Sequence, residues 1–190
     1  EPVRTDQFLG SVAEGGAVNF RNITFNPHGH GTHTECVGHI SKTVHSVNRS
    51  LSNFFSIAEV ISVDPVILKE DEGWMKKGDH VILPSHLGDS LKEPEIESLI
   101  MRTAPYSEDR PHRNYSSTNP PYLHTDSMEF IVRSGIQNLL IDLPSVDREL
   151  DGGELLCHHL FWEHPEKTNT QRTITELIHV PKSIPDGLYL

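Results

Sequence analysis

Between His28 and His39 the chain carries four histidines and one carboxylate in twelve residues, separated by glycines: Asn26-Pro27-His28-Gly29-His30-Gly31-Thr32-His33-Thr34-Glu35-Cys36-Val37-Gly38-His39. No other stretch constrains the chain as much. Glycine lets backbone segments approach without Cβ clashes, so the run is expected to form a compact multidentate loop. Imidazole and carboxylate together suit zinc, manganese or iron(II). His33 and Glu35 are two residues apart and point to one side of an extended segment, where a single ion can take both. The competing reading is a solvated run of surface histidines. The glycines, the carboxylate and the alternating segment Val18–Phe25 just before the run weigh against it.

The rest of the composition narrows the classes open to such a chain. With 16 Lys and Arg against 27 Asp and Glu, the net charge of −11 gives no attraction to nucleic acid or an anionic membrane surface. The apolar runs Val60–Val63 and Leu139–Leu143 are far short of the roughly 20 residues that span a bilayer. Neither nucleic acid nor membrane is an expected partner. Two cysteines, Cys36 and Cys157, form no disulfide framework, no signal-peptide pattern opens the chain, and a cytoplasmic location is expected. The chain begins at Glu1 without methionine and ends within strand-like Gly187–Leu190, so incomplete termini are expected around one domain spanning residues 1–190.

Periodicity predicts strands at Val18–Phe25, Ile57–Val63, His80–Leu83, Asn138–Leu143 and Thr173–Val180. Ile96, Leu99 and Ile100 at helical spacing predict a short amphipathic helix over Pro94–Ala104. Asp126 and Glu129 have capping-box spacing ahead of a second helix that Gly135 would stop. Glu108–Pro121 is polar and proline-rich without periodicity and reads as a lid-like loop. Strands outnumber helices, and the mixture predicts an α/β or α+β domain.

A second cluster, Glu154-Leu155-Leu156-Cys157-His158-His159-Leu160-Phe161-Trp162, follows Asp142-Leu143-Pro144-Ser145-Val146-Asp147. Alone it is ambiguous between a metal site and histidines serving structural hydrogen bonds. With the first cluster it resembles the cyclase family of metal-dependent hydrolases, whose best-characterised members are bacterial kynurenine formamidases. The family signature His-x-Gly-Thr-His-x-Asp with a further His four residues on is matched by Gly31-Thr32-His33-Thr34-Glu35 and His39. The downstream pattern Asp-x-x-Ser-x-Asp, then a His, then a Glu on a strand, is matched by Asp142, Ser145 and Asp147, by His158 or His159, and by Glu176.

The resemblance implies a mixed α/β fold of the swivelling β/β/α type and a homodimer or homotetramer. It implies one metal held by His28, His33 and Glu35, with His30 the alternative first ligand. A second ion would be held by Glu35 as bridge, His158 (or His159) and Glu176, and His39 would be the acid/base. Zinc is the expected ion, manganese the alternative, with one or two per chain. The implied activity is hydrolysis of C–N amide bonds in a small molecule, N-formylkynurenine or a related amide, cyclic amide or ester. The rival is a non-catalytic metal- or ligand-binding member of the family. The chain departs from the pattern in three places: Glu35 stands for Asp, Gly29 occupies the first-histidine position, and a polar insert lies at about Glu163–Arg172. Among lesser features, the cysteines are expected to be buried free thiols, His86 a loop histidine, and Phe54, Phe55 and Trp162 core or interface.

Overall fold

The computed structural model describes residues 1–88, 91, 95–107 and 109–190, with the side chain of His30 excepted. These residues form two compact units, 1–31 and 32–190. In the first, β1 (Arg4–Thr5) pairs antiparallel with β2 (Phe8–Leu9), and a single helical turn, α1 (Pro27–His30), closes the unit. Val18–Phe25 is not a strand. Phe20 exchanges backbone hydrogen bonds with Val3 (2.8 Å) and Gly10 (3.1 Å), and Arg21 makes one bridge to Pro2. Its apolar side chains are exposed, Ile23 to 87%. Alternation marks a strand only where one set of side chains is buried, and here neither set is.

The second unit runs β3 (His33–Glu35), α2 (Val47–Ser50), β4 (Ala58–Val63), β5 (Val66–Ile67), β6 (His80–Ile82), α3 (Pro84–Leu87), β7 (Ser98–Thr103), β8 (Tyr122–Leu123), α4 (Thr125–Arg133), β9 (Asn138–Ile141), α5 (Leu156–Trp162), β10 (Thr173–Glu176) and β11 (Gly187–Tyr189). Among the described residues its main sheet has the order β11-β4-β7-β9-β10-β3. Strands β4, β7, β9 and β10 are parallel, with β11 and β3 antiparallel at the edges. A smaller sheet has the order β5-β6-β8. The expected mixed α/β architecture is present.

Leu99 and Met101 of β7, Leu139 and Ile141 of β9 and Ile174 of β10 are fully buried in one core with Met128 and Ile131 of α4 and Phe161 and Trp162 of α5. This burial explains the main misreading of the sequence. Ser98–Thr103 is a central strand, not the helix expected over Pro94–Ala104, whose first residue lies outside the described residues. A parallel strand covered on both faces reads as a continuous apolar run, and Ile96, Leu99 and Ile100 match helical spacing by coincidence. The expected helix after Asp126 exists, but its cap is His124, whose Nδ1 accepts the Asp126 N–H at 3.0 Å. Gly135 follows at φ 84°, a left-handed conformation that glycine adopts without Cβ strain. The strand expected over Thr173–Val180 stops at Glu176. Leu177 turns to φ 54°, and the next amides donate to Leu143 and Ile141 carbonyls.

Candidate metal centre

Antiparallel pairing of β3 and β10 places His33 directly opposite Glu176, with Glu35 opposite Ile174. Side chains opposed across a ladder share a face, and Glu35, two residues beyond His33, shares it too. His33 Nε2 lies 3.5 Å from Glu176 Oε2. The third contributor is the helix α5. Its His158 Nε2 lies 3.1 Å from Glu35 Oε1 and 3.8 Å from Glu176 Oε1. Four sequence-predicted residues from three elements therefore converge. His39, at the end of the single turn Val37–His39, brings Nδ1 to 3.5 Å from Glu35 Oε2. Ligand atoms of Glu35, His39 and His158 lie within 4.8 Å of one another. Glu35, His158 and Glu176 are buried, whereas the His39 side chain keeps 30% of its surface exposed.

The α5 end of the site is built by the preceding loop. Gly152 and Gly153 (φ 75° and 85°) turn the chain, and Asp151 accepts the amides of Gly153 and Leu155, both at 2.7 Å. Asp147 accepts the amides of Cys157 (2.7 Å) and His158 (3.2 Å) and contacts His158 Nδ1 at 2.5 Å. Val146 donates its N–H to Glu176 Oε1 at 3.2 Å. The roles of Asp147 and Val146 were not read from the sequence, although the Asp-x-x-Ser-x-Asp spacing marked their loop.

The electrostatics of the cluster are those of two carboxylates buried close together. Burial, reinforced by the Glu35 charge, pushes the Glu176 carboxyl up to about 8. Burial opposes charge on His158, yet its hydrogen bonds to the Asp147 and Glu35 carboxylates hold its pKa up at about 10. Two buried carboxylates converging with imidazoles form a donor set that fits a divalent cation of the zinc or manganese kind, which would take the place of the ring proton on His158 Nε2. Such an ion would relieve the Glu176 conflict directly, since it favours the ionised carboxylate.

The remaining expectations separate cleanly. His159 does not face Glu35; its Nδ1 meets the His164 carbonyl oxygen at 2.9 Å. His28 lies on α1 of the first unit. The side chain of His30, the alternative first ligand, lies outside the described residues. Cys36 and Cys157 are buried free thiols, and burial raises the Cys157 thiol well above its usual range. Helical rotation turns Cys157 away from His158's partners, and its thiol points at the Leu123 carbonyl (3.4 Å). His86 is on α3 and accepts the Leu83 N–H at 2.8 Å. Trp162 is buried with its ring centroid 5.4 Å from that of His158, while Phe54 and Phe55 are 78% and 77% exposed. Among the described residues, no helix is long and apolar enough to cross a membrane.

The sequence model of the cyclase family, described as "Putative cyclase", matches residues 2–148. A kynurenine formamidase of Bacillus cereus is 26% identical over 155 residues, covering 80% of this chain and 63% of that protein. A second, from Bacillus anthracis, is 26% identical over 162 residues, covering 83% and 66%. The chain thus spans about two thirds or slightly less of these relatives. A solved structure described as a potential metal-dependent hydrolase with cyclase activity superposes with TM-score 0.62 at 14% identity, over 88% of this chain and 70% of that one. Isatin hydrolase A from Labrenzia aggregata, bound to benzyl benzoate, gives TM-score 0.54 at 14% identity, over 98% and 72%. At these identities the structural likeness concerns the fold.

Proposed function

The chain belongs to the cyclase family, and on that premise we propose that it is a metal-dependent hydrolase of C–N amide bonds, with an aryl formamide such as N-formylkynurenine as substrate. The observation that carries the reading is the convergence of His33, Glu35, His158 and Glu176 from β3, α5 and β10. These residues would hold the ion. Zinc is the proposed ion and manganese the alternative. When bound, a divalent ion supplies a Lewis acid for the amide carbonyl and lowers the pKa of the attacking water from about 15.7 towards 7.

The chain's own residues do the rest. Water attacks the formyl carbon, a C–O bond forms, the C–N bond breaks, and a proton must travel to the departing amine. His39 is placed for that transfer, because its ring is the exposed member of the cluster and its Nδ1 already faces Glu35. Glu35 steadies the imidazolium while the proton is in transit. Formate and an aryl amine leave. Assembly into a homodimer or homotetramer belongs to the same proposal, supported by the exposed Phe54 and Phe55.

The test is hydrolysis of an aryl formamide by protein of measured metal content. Wild type should turn it over, and His39→Ala should lower turnover by roughly 10² to 10⁴ while keeping its metal near the wild-type level. Equal loss of metal and activity would make His39 a ligand. A metal-loaded wild type inert towards aryl formamides, cyclic amides and esters alike would leave a metal-binding protein without this activity.

A further inference from the structure

The loop joining β9 to α5 has a part that the proposed chemistry leaves unused. Asp147 grips one residue in two places: its carboxylate accepts the backbone N–H of His158 (3.2 Å) and meets ring Nδ1 (2.5 Å), while its other oxygen takes the Cys157 N–H (2.7 Å). Both residues are buried. A carboxylate in such a triad only accepts, so the ring nitrogen facing it carries the proton. The other nitrogen, Nε2, is the one aimed at Glu35 (3.1 Å) and Glu176 (3.8 Å); facing a carboxylate it too carries a proton in the metal-free protein, and a divalent ion held there would displace that proton and take the lone pair.

We propose that Asp147 is the positioning residue of the centre, keeping the His158 proton on Nδ1 and locking the ring so that Nε2 faces Glu35 and Glu176. The inference rests on the reading that these residues hold a divalent ion. The grip is itself anchored, since Ser145 Oγ accepts the Asp147 N–H at 3.1 Å and the Val146 carbonyl takes the Leu123 N–H at 3.0 Å. Because Val146 also donates to Glu176 Oε1 (3.2 Å), three consecutive loop residues set one donor on α5 and another on β10. Fixing tautomer and ring rotation in advance is how a carboxylate behind a histidine raises metal affinity, and loss of such a partner typically costs about 10- to 100-fold. A carboxylate that only capped α5 would satisfy amides and leave the ring indifferent.

The experiment uses protein with ¹⁵N-labelled histidine, stripped with chelator and loaded with zinc alone, and reads both ring nitrogens of His158 by NMR. In wild type, Nδ1 should be protonated and Nε2 should carry the zinc-dependent shift. Asp147→Asn and Asp147→Ser should each weaken zinc about 10- to 100-fold in chelator competition and move the Nδ1 signal. Serine keeps a good helix-capping oxygen but lacks the carboxylate, so unchanged zinc affinity and ring shifts in Asp147→Ser would overturn the inference in favour of a capping role. Zinc on Nδ1 of wild type would overturn it too, and that spectrum decides even if neither variant folds. A wild type whose His158 shows no zinc-dependent shift would overturn the reading of the centre itself, a different result from zinc on Nε2 with indifferent variants.

Discussion

Two of the clusters that bury carboxylates in the 32–190 unit solve the problem differently. Asp79, 1% exposed, is fully answered by the protein. It accepts Arg148 Nε (2.8 Å), Tyr122 Oη (2.7 Å), Asn119 Nδ2 (2.9 Å) and the Lys76 N–H (2.8 Å). Burial works against its charge, yet the bonds from Arg148, Asn119 and Tyr122 hold the carboxyl far below the usual carboxylate range. Glu176 is equally buried but faces Glu35 and histidines, and its carboxyl is pushed up to about 8. The first cluster is complete as it stands. The second brings two carboxylates and imidazoles to one point, a donor set that fits a cation, and that contrast separates a structural network from a candidate functional one.

The contrast makes predictions that perturb each side in turn. The largest effect is expected at Asp79. Asp79→Asn leaves the half-buried Arg148 without its charge partner and should cost roughly 3 kcal/mol. That is a fall in Tm of about 6–12 °C for a domain of this size, measurable by calorimetry. Glu176→Gln in the metal-free protein should do the opposite and leave Tm unchanged or higher, because it removes a carboxylate that the fold holds protonated. A large loss of stability in Glu176→Gln would erase the distinction. With metal present, wild type should take up two equivalents of zinc and Glu176→Gln one, if Glu35 bridges two ions about 3.5–4 Å apart. Saturation at one equivalent in both would leave a mononuclear site.

A smaller effect concerns pH. Glu176 has a raised pKa, so between its ordinary value of 4.5 and about 8 the folded chain binds the proton that the unfolded chain has lost. His158 adds the same sign between 6.5 and about 10. Stability of the metal-free protein should therefore fall as pH rises from about 4.5, more steeply above about 6.5, whereas the depressed Asp79 contributes stability that is lost only in acid. Urea midpoints across that range read the slope, and a metal-free midpoint that climbed from pH 5 to 8 would contradict the Glu176 assignment. Zinc loading should flatten the slope and release protons near pH 7, detectable as a buffer-dependent heat.

The site was more legible than the fold that carries it. The spacing of His33, Glu35 and His39 is set by local backbone, and β3 delivers it as an extended segment does. Glu176 was legible as the strand glutamate of the downstream pattern, and the structure buries it on the same strand as Ile174. The choice between His158 and His159 needed the helix, since a rotation of about 100° per residue sends one ring to Glu35 and the other to the His164 carbonyl. Asp147 was visible only as a motif position, because its partners lie ten and eleven residues on and meet it through a glycine turn. Ser98–Thr103 was misread because burial on both faces erases the alternation that identifies a strand.

The central claim is that His33, Glu35, His158 and Glu176 together hold a divalent ion. Elemental analysis of wild type and His33→Ala, each stripped with chelator, equilibrated with zinc and desalted, tests it most directly. Wild type should retain at least one equivalent, and His33→Ala should lose most of it, because His33 is one of few protein ligands and lies 3.5 Å from Glu176 across the ladder. A wild type that retains no zinc, or a His33→Ala protein with an unchanged metal-to-protein ratio, would contradict the account.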